Sequence, residues 1–167
     1  FPPYEEGLRE GLFCRLPSGE VVRGPVWPGL AAFPDFTDPK ARAWWGEKLK
    51  GFLEMGVAGL WLDMNEPALF AAWGEPTLPA SARHALEGQG GDHRLAHNLY
   101  GLLMARASWE GFRKHAPERR PFLLTRSGHA GVQRYAWAWT GDVESTWEGL
   151  RTTLRALLGL SLSGVYF

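Results

Sequence analysis

Two aspartates follow short apolar runs and could do chemistry. Asp63 closes the run of residues 59–62, and Asp142 follows the Trp-Thr-Gly of residues 139–141. An apolar strand gives a carboxylate at its end little solvation, so the group is either functional or paired with a cation. The alternative is a helix N-cap or turn residue, because aspartate is common in both positions. Two such carboxylates on one face would suit a general acid and a nucleophile that work as a pair.

Tryptophans add a possible sugar-binding surface. Four of the nine flank the same predicted strand ends: Trp27, Trp61, Trp137 and Trp139. Flat indole rings suit the C–H faces of sugars, although core packing is the alternative for any single tryptophan. Trp44, Trp45 and Trp109 lie in helical patterns, where we expect core positions. Retaining glycosidases use two carboxyl groups about 5–5.5 Å apart, and that is one reaction this combination could serve.

Other chemistries find less support. His93 and His97 are spaced to share a helix face, with Asp92 or His84 as a third metal ligand, but the His-Glu-x-x-His pattern of zinc enzymes is absent. We therefore expect no metal site and no cofactor. No glycine-rich nucleotide-binding motif occurs, and Ser127 lacks the Gly-x-Ser-x-Gly elbow of serine hydrolases.

The composition sets further limits. The 167 residues include 18 basic and 18 acidic side chains, and this balance argues against nucleic-acid binding. Apolar residues make up 45%, enough for a core, but no run approaches the length of a membrane span. The single cysteine, Cys14, excludes an internal disulfide and favours a cytoplasmic location.

The elements that must position these residues alternate between strands and helices. We predict a hairpin within 4–26, a loop or very short strand over 24–39, a long loop over 71–92 and a strand beginning at Gly164. Predicted helices cover Pro39 to about Met55, Arg94–His115 and Trp147–Leu158, with Thr37 or Asp38 capping the first and Ser145 or Thr146 the last. Short apolar runs at Val57–Met64, Pro121–Thr125 and Tyr135–Trp139 predict buried strands.

This alternation predicts an α/β fold with a parallel sheet. A doubly wound sheet and a (β/α)8 barrel both fit the order of elements. Asp63, Arg126 and Asp142 all follow predicted strands, and in a barrel those ends converge on the face that carries the active site. The barrel is therefore favoured.

Three ordered blocks then resemble family 31 glycoside hydrolases, the α-glucosidase family. Residues 59–67, Gly-Leu-Trp-Leu-Asp-Met-Asn-Glu-Pro, are similar to its nucleophile signature. Residues 120–128, followed by 133–135 and 139–142, resemble its second signature. Upstream, Val-Trp-Pro-Gly at 26–29 and Phe-Pro-Asp-Phe-Thr at 33–37 resemble a further block. The similarity spans nearly the whole chain.

The resemblance implies a (β/α)8 TIM barrel and retaining hydrolysis of terminal α-linked glucosides through a glycosyl-enzyme intermediate. Asp63 matches the nucleophile, Asp142 the general acid/base, and Glu66 a carboxylate that supports the site. Residues implied to line the glucose subsite are Trp27, Met64, Arg126 and Trp139. The implied substrate is an α-glucoside or oligosaccharide.

The family barrel is longer than 167 residues. We expect residues 1–167 to be the central portion of one barrel, incomplete at both ends, with no second domain and no activity alone. A sugar-binding Asp and His of the family would lie outside it. The open alternatives are α-xylosidase or α-glucosyltransferase activity, or a non-catalytic carbohydrate-binding homologue. The oligomeric state is left undetermined.

Overall fold

A computed structural model describes residues 1–70 and 76–166. Helices in these residues are α1 Pro2–Glu10, α2 Pro39–Glu54, α3 His93–His115 and α4 Trp147–Leu162. Strands are β1 Arg23–Val26, β2 Gly29–Ala32, β3 Leu60–Leu62, β4 Arg83–His84, β5 Gly91–Asp92, β6 Leu123–Thr125 and β7 Trp137–Ala138. None of the described helices has the length and apolar character needed to cross a membrane.

The main sheet is parallel and has the strand order β3-β6-β7. Leu60 pairs with Leu123 at its start, and Thr125 pairs with Ala138 near its end. The chain passes through α3 between β3 and β6, which is a strand–helix–strand crossover of the predicted kind. The predicted α/β class with a parallel sheet is confirmed, and the described strands form an open part of a sheet rather than a closed barrel.

The predicted helices are confirmed, and side chains cap them as expected. Asp38 accepts a hydrogen bond from the Lys40 N–H at 2.8 Å, and Pro39 occupies the first turn of α2. Thr146 Oγ1 accepts from the Gly149 N–H at 3.0 Å at the start of α4. These contacts satisfy N–H groups that a helix leaves without partners at its beginning.

Helices α2 and α3 cross with their backbones in contact. A Cβ atom added to Gly111 would lie 2.5 Å from the Gly46 Cα, so only two glycines permit this approach. Behind the crossing lies a buried cluster around Phe36, whose ring contacts Trp45 at 5.3 Å and Tyr100 at 5.2 Å between centroids. A second cluster joins Leu62 and Leu123 of the sheet to α3. The sheet and α3 therefore form one rigid support.

The predicted hairpin within 4–26 is wrong in its first part. Residues Pro2–Glu10 form α1, which begins with prolines in its first turn and ends at Gly11 in the left-handed conformation (φ 71°). The apolar residues of this segment therefore belong to a helix and not to a strand. A hairpin does exist further on, where Arg15 pairs with Val21 across the Pro-Ser-Gly-Glu segment of residues 17–20.

Two other segments differ in detail. Residues 24–39 contain the antiparallel pair β1 and β2, in agreement with very short strands. The predicted loop 71–92 falls partly on residues 71–75, outside the described residues, and the rest contains the antiparallel pair β4 and β5. No strand begins at Gly164 within the described residues, although the Ala138 N–H donates to the Tyr166 carbonyl at 2.7 Å.

Candidate active site

The carboxyl ends of three neighbouring parallel strands carry the predicted polar residues. Asp63 follows β3, Arg126 follows β6, and Trp139 follows β7. Backbone hydrogen bonds continue the sheet at this edge, from Arg126 N–H to Leu62 O at 3.0 Å and from Trp139 N–H to Thr125 O at 2.9 Å. Parallel pairing therefore brings these positions together, as the sequence predicts.

The chain turns sharply directly after Asp63. Met64 has a φ of 54°, a left-handed conformation that costs a residue with a side chain about 1 kcal/mol or more. The Met64 N–H donates to Asp63 Oδ1 at 2.9 Å, and the Met64 carbonyl accepts from the Ala68 N–H at 2.9 Å. This turn holds the Asp63 carboxylate at the strand end.

Arg126 joins two carboxylates in one ionic group. Its Nη1 lies 3.0 Å from Asp63 Oδ1. Its Nε and Nη2 donate to the two Glu66 oxygens at 2.9 and 2.8 Å, a bidentate pair. The hydrogen bond with Glu66 raises the pKa of Arg126 against the opposing effect of burial, and the charges of Glu66, Asp63 and Asp142 add to the rise. One guanidinium thus fixes both carboxylates and keeps a cation beside Asp63.

Replacing Arg126 with lysine is expected to lower kcat/KM about 10- to 100-fold, because lysine cannot bind Glu66 through a bidentate fork while also reaching Asp63. Arg134→Lys is the matched control, since Arg134 is exposed. Steady-state kinetics of the full-length protein measure both. An unchanged kcat/KM in Arg126→Lys would contradict a role for the bidentate contact.

Asn65 holds the turn after β3 against the turn after β6. The side chain is buried, with 2% of its surface exposed. Its Nδ2 donates to Thr125 Oγ1 at 2.8 Å, and its Oδ1 accepts from the Ser127 N–H at 3.0 Å. The Thr125 hydroxyl donates in turn to the Ser127 carbonyl at 2.7 Å. This clamp fixes the loops that carry Glu66 and Arg126.

Asn65→Ala is expected to destabilise the domain by about 1–3 kcal/mol, because it leaves the part-buried Ser127 N–H without its acceptor and the Thr125 hydroxyl oxygen without its donor. Asn98→Ala on the exposed surface of α3 is the control and should change stability by less than about 0.5 kcal/mol. Denaturant unfolding measures both variants, and equal stability losses would refute the clamp.

Helix α3 packs against the loops that carry Glu66 and Arg126. A Cβ atom on Gly101 would lie 2.8 Å from the Ser127 carbonyl and 2.9 Å from the Asn65 carbonyl. The helix backbone therefore packs directly against both site loops, and a larger residue would push them outward.

The four tryptophans predicted to flank the strand ends have different surroundings. Trp61 and Trp139 contact each other edge to face at 5.2 Å beside the ionic group. Trp27 lies in the β1–β2 turn, is 80% exposed, and contacts the Phe70 ring at 4.7 Å. Trp137 contacts Tyr166 instead.

Trp44, Trp45 and Trp109, which we expect in the core, are half-buried on their helices. Trp45 donates to the Ser108 hydroxyl at 2.9 Å, Trp44 contacts the Phe13 ring, and Trp109 packs against the cluster beneath the sheet. Trp147, at the start of α4, is exposed.

Asp142 lies in the segment after β7 and is exposed. Strands β3 and β7 both flank β6, so Asp63 and Asp142 follow strands on either side of the one that carries Arg126. The charge of Asp142 reaches Arg126, where it contributes to the raised pKa of the guanidinium. The separation of the two carboxyl groups remains a prediction.

The histidines considered as metal ligands lie away from this edge. His93 and His97 do share a face of α3, with ring centroids 5.2 Å apart. His84 lies against His93, and Cys14, Asp35 and His84 bring ligand-type atoms within 4.8 Å of one another. Asp35 already accepts hydrogen bonds from His84, Thr37 and Ala85. These partners account for the carboxylate without a metal.

Asn65 lies within the motif of residues 59–67, but the sequence alone gives it no role. An amide in a loop is ordinarily solvated, and only its burial reveals the clamp. The buried partners of Asp35 were also missed, because residues 35, 84 and 93 are far apart in the chain.

Comparisons with known proteins show similarity over nearly the whole chain. Residues 1–167 match the family described as "Glycosyl hydrolases family 31 TIM-barrel domain". Alpha-glucosidase 2 of Bacillus thermoamyloliquefaciens is 46% identical over 164 residues, 98% of this chain and 21% of that protein. The alpha-glucosidase of Saccharolobus solfataricus is 38% identical over 185 residues, all of this chain and 26% of that protein.

Among solved structures, the Tris-bound glucosidase II alpha subunit superposes with a TM-score of 0.88 at 31% identity, over all of this chain and 18% of that one. The predicted TIM-barrel architecture is thereby confirmed at the level of the family. The chain spans about a fifth to a quarter of the length of the curated relatives described above.

Proposed function

Because the chain belongs to glycosyl hydrolase family 31, we propose that the full-length protein hydrolyses terminal α-linked glucosides with retention of configuration. The observation that carries this proposal is the ionic group at the strand ends, where Arg126 binds Asp63 and Glu66 together. The similarity to proteins named alpha-glucosidase supports the substrate class.

Asp63 acts as the nucleophile in this proposal. Its ionised carboxylate attacks the anomeric carbon while the glycosidic C–O bond breaks, which forms a covalent glycosyl-enzyme. Arg126 Nη1 lies 3.0 Å from Asp63 Oδ1 and holds this carboxylate at the strand end. Glu66 supports the reaction by holding Arg126 in place.

Asp142 acts as the general acid and then as the general base. It gives its proton to the leaving oxygen as the first bond breaks. It then takes a proton from the water that attacks the glycosyl-enzyme and releases Asp63. The exposed segment after β7 allows the leaving group and the water to reach Asp142.

Residues around the ionic group would bind the sugar. Met64 directly follows Asp63, Trp139 lies at the end of β7 on the far side of β6, and Arg126 offers hydrogen-bond donors. Trp27 presents an exposed indole face at the β1–β2 turn. Flat apolar rings and a charged donor are the groups that recognise one sugar unit.

The chain would contribute the central part of one catalytic barrel. Helix α4 supports this view, because it exposes an apolar face on which further elements could pack: Trp147, Leu150, Leu154, Leu158 and Leu162. Residues from outside the chain would complete the glucose subsite.

The test compares three chromogenic substrates with the full-length protein: an aryl α-glucoside, its β-anomer and the aryl α-xyloside. We expect turnover of the α-glucoside only, with α-glucose as the first anomer detected by NMR. Preference for the xyloside would replace the substrate assignment, transfer to an added sugar would indicate a glucosyltransferase, and absence of all turnover would indicate a non-catalytic homologue.

A further inference from the structure

A buried chain of hydrogen bonds runs from the interior to the loop after β3. Asp35 Oδ1 lies 3.0 Å from His84 Nδ1, and His84 Nε2 lies 3.0 Å from His93 Nδ1. His93 Nε2 lies 3.3 Å from the Thr77 hydroxyl, which donates to the Pro67 carbonyl at 2.8 Å. Both histidines are buried, with 4% and 2% of their surfaces exposed.

The carbonyl end fixes the direction of the hydrogen bonds nearest to it. The Pro67 carbonyl can only accept, so the hydroxyl hydrogen of Thr77 points to it. The Thr77 oxygen then accepts from His93 Nε2. One hydrogen lies between His93 Nδ1 and His84 Nε2, which are 3.0 Å apart.

At the other end of the chain, the hydrogen bonds to Asp35 favour an ionised carboxylate. Asp35 accepts from the Thr37 N–H and hydroxyl at 3.1 and 2.6 Å and from the Ala85 N–H at 2.7 Å. The Thr37 oxygen itself accepts from the Leu86 N–H, so its hydrogen belongs to Asp35. Burial raises the pKa of Asp35, but the hydrogen bonds from His84 and Thr37 outweigh it and lower the pKa. An ionised Asp35 requires a proton on His84 Nδ1.

The surroundings of His93 favour its neutral imidazole. Burial, followed by the charges of His84 and His97, lowers the pKa of His93 to about 4, and the charge of Asp92 opposes this only in part.

The tip of the chain adjoins the ionic group of the site. Pro67 directly follows Glu66, whose two oxygens bind Arg126, and Arg126 binds Asp63. A shift of the Pro67 carbonyl would therefore move Glu66 and loosen the cation beside Asp63.

We propose that His84 and His93 are positioning residues, which anchor the Pro67 carbonyl to the buried Asp35 carboxylate and so hold Glu66 and Arg126 in register with the nucleophile. The proposal rests on the proposed function for its kinetic readout. A purely structural role would lower stability and leave kcat of the folded protein unchanged.

The kinetic test uses His93→Phe, His93→Gln and the neighbouring control His97→Gln in the full-length protein. His93→Phe keeps a ring but breaks both hydrogen bonds, and we expect kcat to fall by up to about 100-fold. KM should change by less than about threefold, because the contacts that bind the sugar stay in place. His93→Gln can still accept and donate, so it should restore kcat, and His97→Gln should match wild type.

A kcat that stays at the wild-type value in a folded His93→Phe variant would overturn the proposal. A neutron crystal structure of the wild type tests the protons without activity. We expect hydrogen on His84 Nδ1 and on His93 Nε2, with a single hydrogen between the two rings, and any other pattern would refute the chain. A stoichiometric metal between Asp35 and His84 would refute it too. If the wild type shows the expected protons but no turnover, that result would count against the proposed function only.

Discussion

Asp63→Ala is expected to lower kcat of the full-length protein about 10⁴-fold or more, the scale seen when an enzyme loses its nucleophile. Removing the carboxylate removes the group that would attack the anomeric carbon, while the Arg126–Glu66 pair stays in place. Steady-state hydrolysis of an aryl α-glucoside, with thermal unfolding to verify the fold, measures this loss.

Azide provides the control for this variant. It can attack the sugar from the face that Asp63 leaves open, so an activated α-glucosyl donor should give the β-glucosyl azide. Formation of the α-azide, or a loss of kcat smaller than about tenfold, would show that another group is the nucleophile.

Asp142→Ala is expected to affect substrates unequally. kcat/KM for maltose should fall about 10²- to 10⁴-fold, because its leaving oxygen needs a proton from a general acid. kcat/KM for an aryl α-glucoside with an acidic phenol should fall less than about tenfold, since that group leaves without protonation.

The neighbouring exposed residue Glu144 gives the matched control, and Glu144→Ala should leave both substrates unchanged. In Asp142→Ala, azide should attack the glycosyl-enzyme and give the α-azide, the opposite anomer to that from Asp63→Ala. Equal losses on both substrates would contradict the acid/base assignment.

Much of the scaffold could be predicted because its signals are local. Prolines and acidic or hydroxyl side chains mark the helix starts at Pro39 and Trp147, and short apolar runs mark β3 and β6. Parallel pairing then requires that residues after those strands meet, which is how Asp63 and Arg126 could be grouped before any coordinates.

What could not be predicted depends on contacts between distant residues. The hairpin predicted within 4–26 does not include α1, since this helix depends on packing such as that of Gly7 against the Phe13 ring. The spacing of His93 and His97 indicates a shared helix face but does not indicate the partners of His93. Only the fold places His84 beside His93 and Asp35 beside His84.

The covalent intermediate gives the most direct measurement of the mechanism. The full-length protein would be treated with a fluorinated α-glucosyl fluoride that forms the glycosyl-enzyme quickly and releases it slowly. Mass spectrometry of the intact protein and of its peptides would then locate the sugar. We predict one sugar per protein, attached to Asp63 in the peptide that contains residues 59–67. A sugar attached to Glu66 or Asp142, or turnover with no covalent adduct, would contradict the assignment of Asp63 as the nucleophile.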